Sequence, residues 1–114
     1  MKQDALQMSL LFDYYGELLS QKQRICFDLY YNQDLSLSEI AGDLGITRQG
    51  VHDLLTRAET ALGEFERVTG CIARDKRAEK ALGDIAGACE QLQSIPDARS
   101  AVQTILQASA TIKE

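Results

Sequence analysis

Ala41 and Gly45 stand four residues apart inside an apolar frame of Ile40, Leu44, Ile46, Val51 and Leu54. No other feature narrows the possible folds as far. Two short helices meeting at a steep angle need a small side chain where they cross, and Ala41 supplies it. The turn between them needs a positive φ, which glycine adopts without steric cost. Leu37 to Thr56 is therefore read as a helix-turn-helix. An ordinary helical hairpin would not need the alanine and the glycine together.

The flanks agree with this reading. Ser36-Leu37-Ser38-Glu39 is a capping box with Leu35 placed as its staple, and Thr47 can cap the second helix of the motif. Upstream, Ser20-Gln21-Lys22-Gln23 is another capping box, opening a helix with Ile25, Cys26, Leu29 and Tyr30 on its apolar face and ending at Asn32-Gln33-Asp34. Before it, Leu6, Leu10, Leu11, Tyr14 and Leu18 predict a helix from Asp4 to Leu19, which Gly16 weakens without ending.

Downstream, Val51, Leu55, Ala58, Leu62, Phe65, Thr69 and Ile72 follow a coiled-coil spacing, which resumes at Ala78, Leu82, Ile85, Cys89 and Leu92. Whether Gly70 breaks this helix is left open by the sequence. The stripe from Val51 to Leu92 predicts a homodimer, unless the N-terminal helices cover it within one chain. Ser94-Ile95-Pro96 stops the run, and Pro96 suits the first turn of a last helix with Val102, Ile105, Leu106, Ser109 and Ile112 on one stripe.

With one proline, no tryptophan and β-branched residues scattered singly, the chain is read as all-α. It has an N-terminal helix, the helix-turn-helix, a long C-terminal helix extension and a last helix packing back. Residues 1–70 form the helix-turn-helix domain. Residues 71–114 form a helical extension: a long helix, a break at Pro96 and the last helix. At 45% hydrophobic and 25% charged, its 114 residues can build a core without a metal or disulfide staple. Three cysteines, Cys26, Cys71 and Cys89, form no paired or metal-binding spacing and are read as small hydrophobes. The polar start Met1-Lys2-Gln3-Asp4 argues against a secretory signal, and no apolar run is long enough to span a membrane. A cytoplasmic protein is expected.

On the second helix of the motif, Thr47, Arg48, Gln49, His52, Thr56 and Arg57 are the candidate nucleic-acid-binding residues. Arg48 suits a guanine edge or a phosphate, Gln49 an adenine, and Thr47 a phosphate. Asp53 among them opposes phosphate unless Arg48, Arg57 or a cytosine amino group engages it. Ser36 to Arg57 carries two basic and three acidic residues, and residues 1–70 carry a net −5, so the motif's shape is stronger than its electrostatics. The alternative is a basic face of Arg74, Lys76, Arg77 and Lys80, interleaved with Asp75 and Glu79, in a C-terminal part of net charge zero. His52, the single histidine, has no neighbours at metal-ligand spacing. Tyr14-Tyr15 and Tyr30-Tyr31 each read as one core and one interface residue rather than as base-stacking platforms. No catalytic constellation, metal site or cofactor motif is present, so no enzyme is expected.

Several strings in order carry a family resemblance: Leu19-Ser20-Gln21-Lys22-Gln23-Arg24, Leu29-Tyr30-Tyr31, Asp34-Leu35-Ser36-Leu37-Ser38-Glu39-Ile40-Ala41 and Thr47-Arg48-Gln49-Gly50-Val51. Together they resemble the bacterial YlxM family over residues 10–70. That family is itself similar to the promoter-reading region 4 of sigma factors. The resemblance implies an all-helical fold with a sigma-like helix-turn-helix. Its gene neighbourhood implies a regulatory role in the signal recognition particle pathway. The partners implied are that particle's RNA, its GTPase or the GTPase's receptor, with duplex DNA as the alternative. Gly50 and His52 stand where that family usually has alanine and tyrosine.

Overall fold

The computed structural model describes residues 4–113; the polar opening at residues 1–3 lies outside them. The chain runs α1 (Ala5–Tyr15), a 3-10 turn (Gly16–Leu18), α2 (Gln21–Phe27), α3 (Leu37–Leu44), α4 (Arg48–Thr69), α5 (Cys71–Gln91), a second 3-10 turn (Pro96–Ala98) and α6 (Arg99–Lys113). No strand forms among the described residues, and the fold is all-α. Two compact units divide it, Met1–Ile72 and Ala73–Glu114.

The first unit is organised by α4, against which α1, α2 and α3 all pack. Met8, Leu11, Tyr15, Leu19 and Phe27 close over Ala58, Leu62 and Ile72. Cys26, Tyr30 and Ile40 close over Val51 and Leu55. The first half of the coiled-coil-like stripe is thus buried inside the chain. The continuous seam expected from Val51 to Leu92 does not form: Gly70, at φ +63°, ends α4 in the left-handed conformation. Its N–H still bonds the Glu66 carbonyl at 2.8 Å, so the stop is a hydrogen-bonded cap.

Two apolar faces differ from the sequence reading. On α1 the inward residues are Met8, Leu11 and Tyr15, whereas Leu6 is 82% exposed and Tyr14 and Leu18 are also open to water. Both stripes have helical spacing; packing against α4 decided between them. Gly16 does end α1, which tightens into the 3-10 turn. A Cβ there would sit 3.1 Å from the Phe12 ring, a tight contact that the ring would have to shift to relieve. On α2, Phe27 is fully buried while Ile25 is exposed. The helix widens over Asp28–Asn32, where the Gln33 N–H bonds the Asp28 carbonyl five residues back at 3.1 Å. One extra residue in that turn re-aims the side chains that follow. Phe27 stacks between Phe12 and Tyr31, with ring centroids 4.8 and 4.4 Å away. Tyr31 is thus a partly buried packing residue whose hydroxyl donates to Glu59.

In the second unit Leu82, Cys89 and Val102 are buried. Leu106 of α6 lines one hollow with Ala86 and Cys89 of α5. No helix among the described residues is long and apolar enough to cross a membrane.

Candidate nucleic-acid interface

The motif is assembled from its caps inward. Ser36 Oγ accepts from the Glu39 N–H and Glu39 Oε1 from the Ser36 N–H, both at 3.1 Å, which satisfies two orphan donors at the start of α3. Gly45 takes φ +66° as the α3 stop, and the Ile46 N–H reaches back to the Ala41 carbonyl at 3.1 Å. Two residues on, Thr47 Oγ1 accepts the Gly50 N–H at 3.0 Å and opens α4. The buried anchor is Ile40 against Val51 and Leu55, with Ala41, Leu44 and Leu54 half-buried around it. Of the apolar framework, Ile40, Leu44, Val51 and Leu54 pack together as expected, whereas Ile46 in the turn is 39% exposed and lies outside the cluster.

Opposite that anchor, α4 presents two rows at i, i+4 spacing: Arg48, His52 and Thr56, beside Gln49, Asp53 and Arg57. All are exposed except His52, which is half-buried. Arg48, Gln49 and His52 share with Leu37 of α3 a hollow of about 380 Å³ in the angle between the two helices. The Gln49 amide donates one N–H to Asp53 Oδ1 at 3.0 Å, which ties its orientation to that carboxylate. Asp53 is held by this amide, with His52 Nδ1 at 3.8 Å. Neither Arg48 nor Arg57 pairs with it, and both guanidinium groups stand without an ion-pair partner among the described residues. Thr47 is committed to its cap. His52 Nδ1 is buried with no hydrogen bond of its own.

Arg74, Lys76, Arg77 and Lys80 are exposed in the first turns of α5, in the second unit. Lys80 Nζ is tied to Asp84 Oδ2 at 3.2 Å. No group of three or more histidine, cysteine or acidic side chains with metal-binding geometry forms among the described residues.

One constellation had no counterpart in the sequence reading. The buried Tyr15 of α1 donates its hydroxyl to Glu66 Oε1 at 2.5 Å and lies 2.6 Å from Thr69 Oγ1. The same Glu66 oxygen accepts the Ile72 N–H at 3.0 Å, and Thr69 Oγ1 accepts the Cys71 N–H at 3.4 Å. The last turn of α4 thus caps the start of α5, and α1 locks the cap. Burial, then the Glu66 carboxylate, pushes the Tyr15 hydroxyl above its ordinary pKa. A buried tyrosine always seeks a partner for its hydroxyl. Its partner 51 residues away had no sequence signal.

A short helix, α3, joined to the long α4 by a left-handed glycine, with the start of α4 exposing a polar face, defines a helix-turn-helix protein. A family model described as "Putative helix-turn-helix protein, YlxM / p13 like" matches residues 2–102. The chain belongs to this family, UPF0122. Among its relatives, the UPF0122 protein of Thermoanaerobacter sp. (strain X514) is 51% identical over 74 residues, which are 65% of this chain and 63% of the relative. The UPF0122 protein of Desulforamulus reducens is 43% identical over 79 residues, 69% of this chain and 68% of the relative. That of Symbiobacterium thermophilum is 40% identical over 88 residues, 77% and 82%. The chain spans 63% of the length of the first of these relatives.

Proposed function

We propose that this is a regulatory, non-enzymatic helix-turn-helix protein that serves the signal recognition particle pathway in the cytoplasm and holds that particle's RNA through its phosphates. The pathway follows from the family resemblance. The preference for RNA rests on one observation, the placement of charge. The unit containing the sigma-like motif carries a net −5, while Arg74 to Lys80 gathers four basic residues against two acidic ones. Phosphate contacts supply most of a nucleic-acid affinity and follow local positive charge.

A second reading, a DNA-binding transcriptional regulator, is favoured by the unpaired Arg48 and Arg57 on the reading face of α4. Affinities for the particle's RNA and for promoter DNA, each at two salt concentrations, separate the two. Neutralising Arg74, Lys76, Arg77 and Lys80 together is expected to weaken RNA binding and flatten its salt dependence by somewhat under one unit per contact. Tight DNA binding abolished by Arg48→Ala alone overturns the ranking, since a single good base contact is worth roughly 1–3 kcal/mol.

The reading includes a homodimer. With the α4 stripe covered inside the chain, the exposed apolar residues of the second unit that a second copy would cover include Ile85, Leu92, Ile105 and Leu106, each 37–43% exposed. Sedimentation at tens of micromolar checks this, and a monomer throughout removes the dimer.

A further inference from the structure

The first unit also carries a groove of about 580 Å³ to which neither helix of the helix-turn-helix contributes a side chain. Its floor is apolar: the Phe12 ring, Ile25 and Leu29, with Gly16 holding the chain close enough that a Cβ would strike that ring. Ile25 is 39% exposed although it lies on the helix that buries Cys26 and Phe27 completely. The rim carries Asp13, Glu17 and Asp28 against a single cation, Arg24.

These rim charges are uncompensated. Arg24 makes no ion pair with any of the three carboxylates, and none of them has another cation among the described residues. Asp28 accepts only neutral amides, from Asn32 at 2.7 Å and Gln33 at 3.0 Å, which orient its carboxylate without cancelling its charge. An apolar floor inside a ring of unpaired carboxylates repels phosphate and disfavours bare hydrocarbon. It suits an apolar side chain flanked by ammonium or guanidinium groups. A small cation is a poorer occupant, because Asp13, Glu17, Arg24 and Ile25 are all open to water and cannot enclose it.

We infer that this groove docks a basic amphipathic helix of a partner protein, its apolar face on Phe12, Ile25 and Leu29 and its cations against Asp13, Glu17 and Asp28. The nucleic-acid reading does not use this surface, so the protein has a protein-binding face as well as a phosphate-binding one.

The probe is an ~18-residue leucine–lysine peptide patterned as an amphipathic helix, with a leucine–glutamate peptide of the same pattern beside it. Titrated into the ¹⁵N-labelled full chain at physiological salt, the lysine peptide is expected to shift the amide signals of Phe12, Gly16, Ile25 and Leu29 first. The glutamate peptide is expected not to bind. Asp13→Asn combined with Glu17→Gln, both at exposed positions, is expected to weaken lysine-peptide binding about tenfold. The charge-matched pair Asp43→Asn and Glu90→Gln, outside the groove, is expected to change it less than about twofold. Thermal melts confirm that both variants fold. Equal weakening by the two pairs, shifts centred elsewhere, or no binding of the lysine peptide overturns the proposal.

Discussion

The two units spend their apolar residues differently. Thirteen of the sixteen buried hydrophobic residues belong to the first unit, and only Leu82, Cys89 and Val102 to the second. In the first, every turn of α4 from Val51 to Leu62 is covered by α1, α2 or α3. In the second, Ile85, Leu92, Ile105, Leu106 and Ile112 stay 37–65% exposed. Apolar spacing along a helix says that one face will be covered; what covers it is settled by the neighbouring chain. The same stripe, carried across Gly70, becomes a core on one side and a half-open face on the other.

The largest expected effect tests this contrast. Leu62→Ala is expected to cost about 2–5 kcal/mol, because the site is sealed and has little room to collapse. Leu106→Ala, at a half-exposed position, is expected to cost less than about 1 kcal/mol in the monomer. Urea melts at low protein concentration measure both. Equal costs would mean that the second unit is packed as tightly as the first.

The buried Cys26 thiol of the first unit adds a pH dependence to the comparison. Burial pushes Cys26 up to about 11, from an ordinary value near 9. The folded state therefore keeps a proton that the unfolded chain releases. That contribution is intact below pH 9 and is lost as pH rises toward 11, by up to about 2 kcal/mol. Cys26→Ala is expected to flatten this alkaline slope, read from melts at pH 8, 9.5 and 10.5. A slope that persists in the variant would place the titration on another group, with Tyr15 the first to examine.

Gly45→Val ranks next, at about 1–2 kcal/mol. Nothing lies within 4 Å of a Cβ at this position, so the penalty is backbone strain alone. Unchanged thermal stability would contradict the left-handed turn on which the motif depends.

Legibility followed the range of the interactions. Both capping boxes, the Thr47 cap, the Gly45 turn and the Ala41 crossing were readable because each needs only residues a few positions apart. On α1, Leu6, Tyr14 and Leu18 satisfy helical spacing as well as Met8, Tyr15 and Leu19 do, and only packing against α4 distinguishes the two stripes. The wide turn at Asp28–Asn32 was invisible because its five-residue hydrogen bonding has no composition of its own. The candidate site divided in the same way. Its residues were legible as one exposed face of α4, whereas the Gln49–Asp53 bond across that face has no separate signal in the sequence. The expected partners for Asp53 were arginines, yet neither Arg48 nor Arg57 turns toward it.

The smallest expected effect has the opposite sign. Gly83 lies within α5 with nothing within 4 Å of a Cβ, so an added methyl meets open space in this chain. Alanine there has the better helix propensity and removes backbone freedom from the unfolded state. Gly83→Ala is therefore expected to raise stability by roughly 0.5–1 kcal/mol. Gly45 and Gly83 are equally open, and only the backbone separates a loss from a gain. Measured at micromolar and at much higher protein concentration, the gain should be constant if this side of α5 faces water. A gain at low concentration that becomes a loss at high concentration would mean that a second copy approaches α5 closely at Gly83. The half-open face of the second unit would then be a dimer surface that includes the glycine.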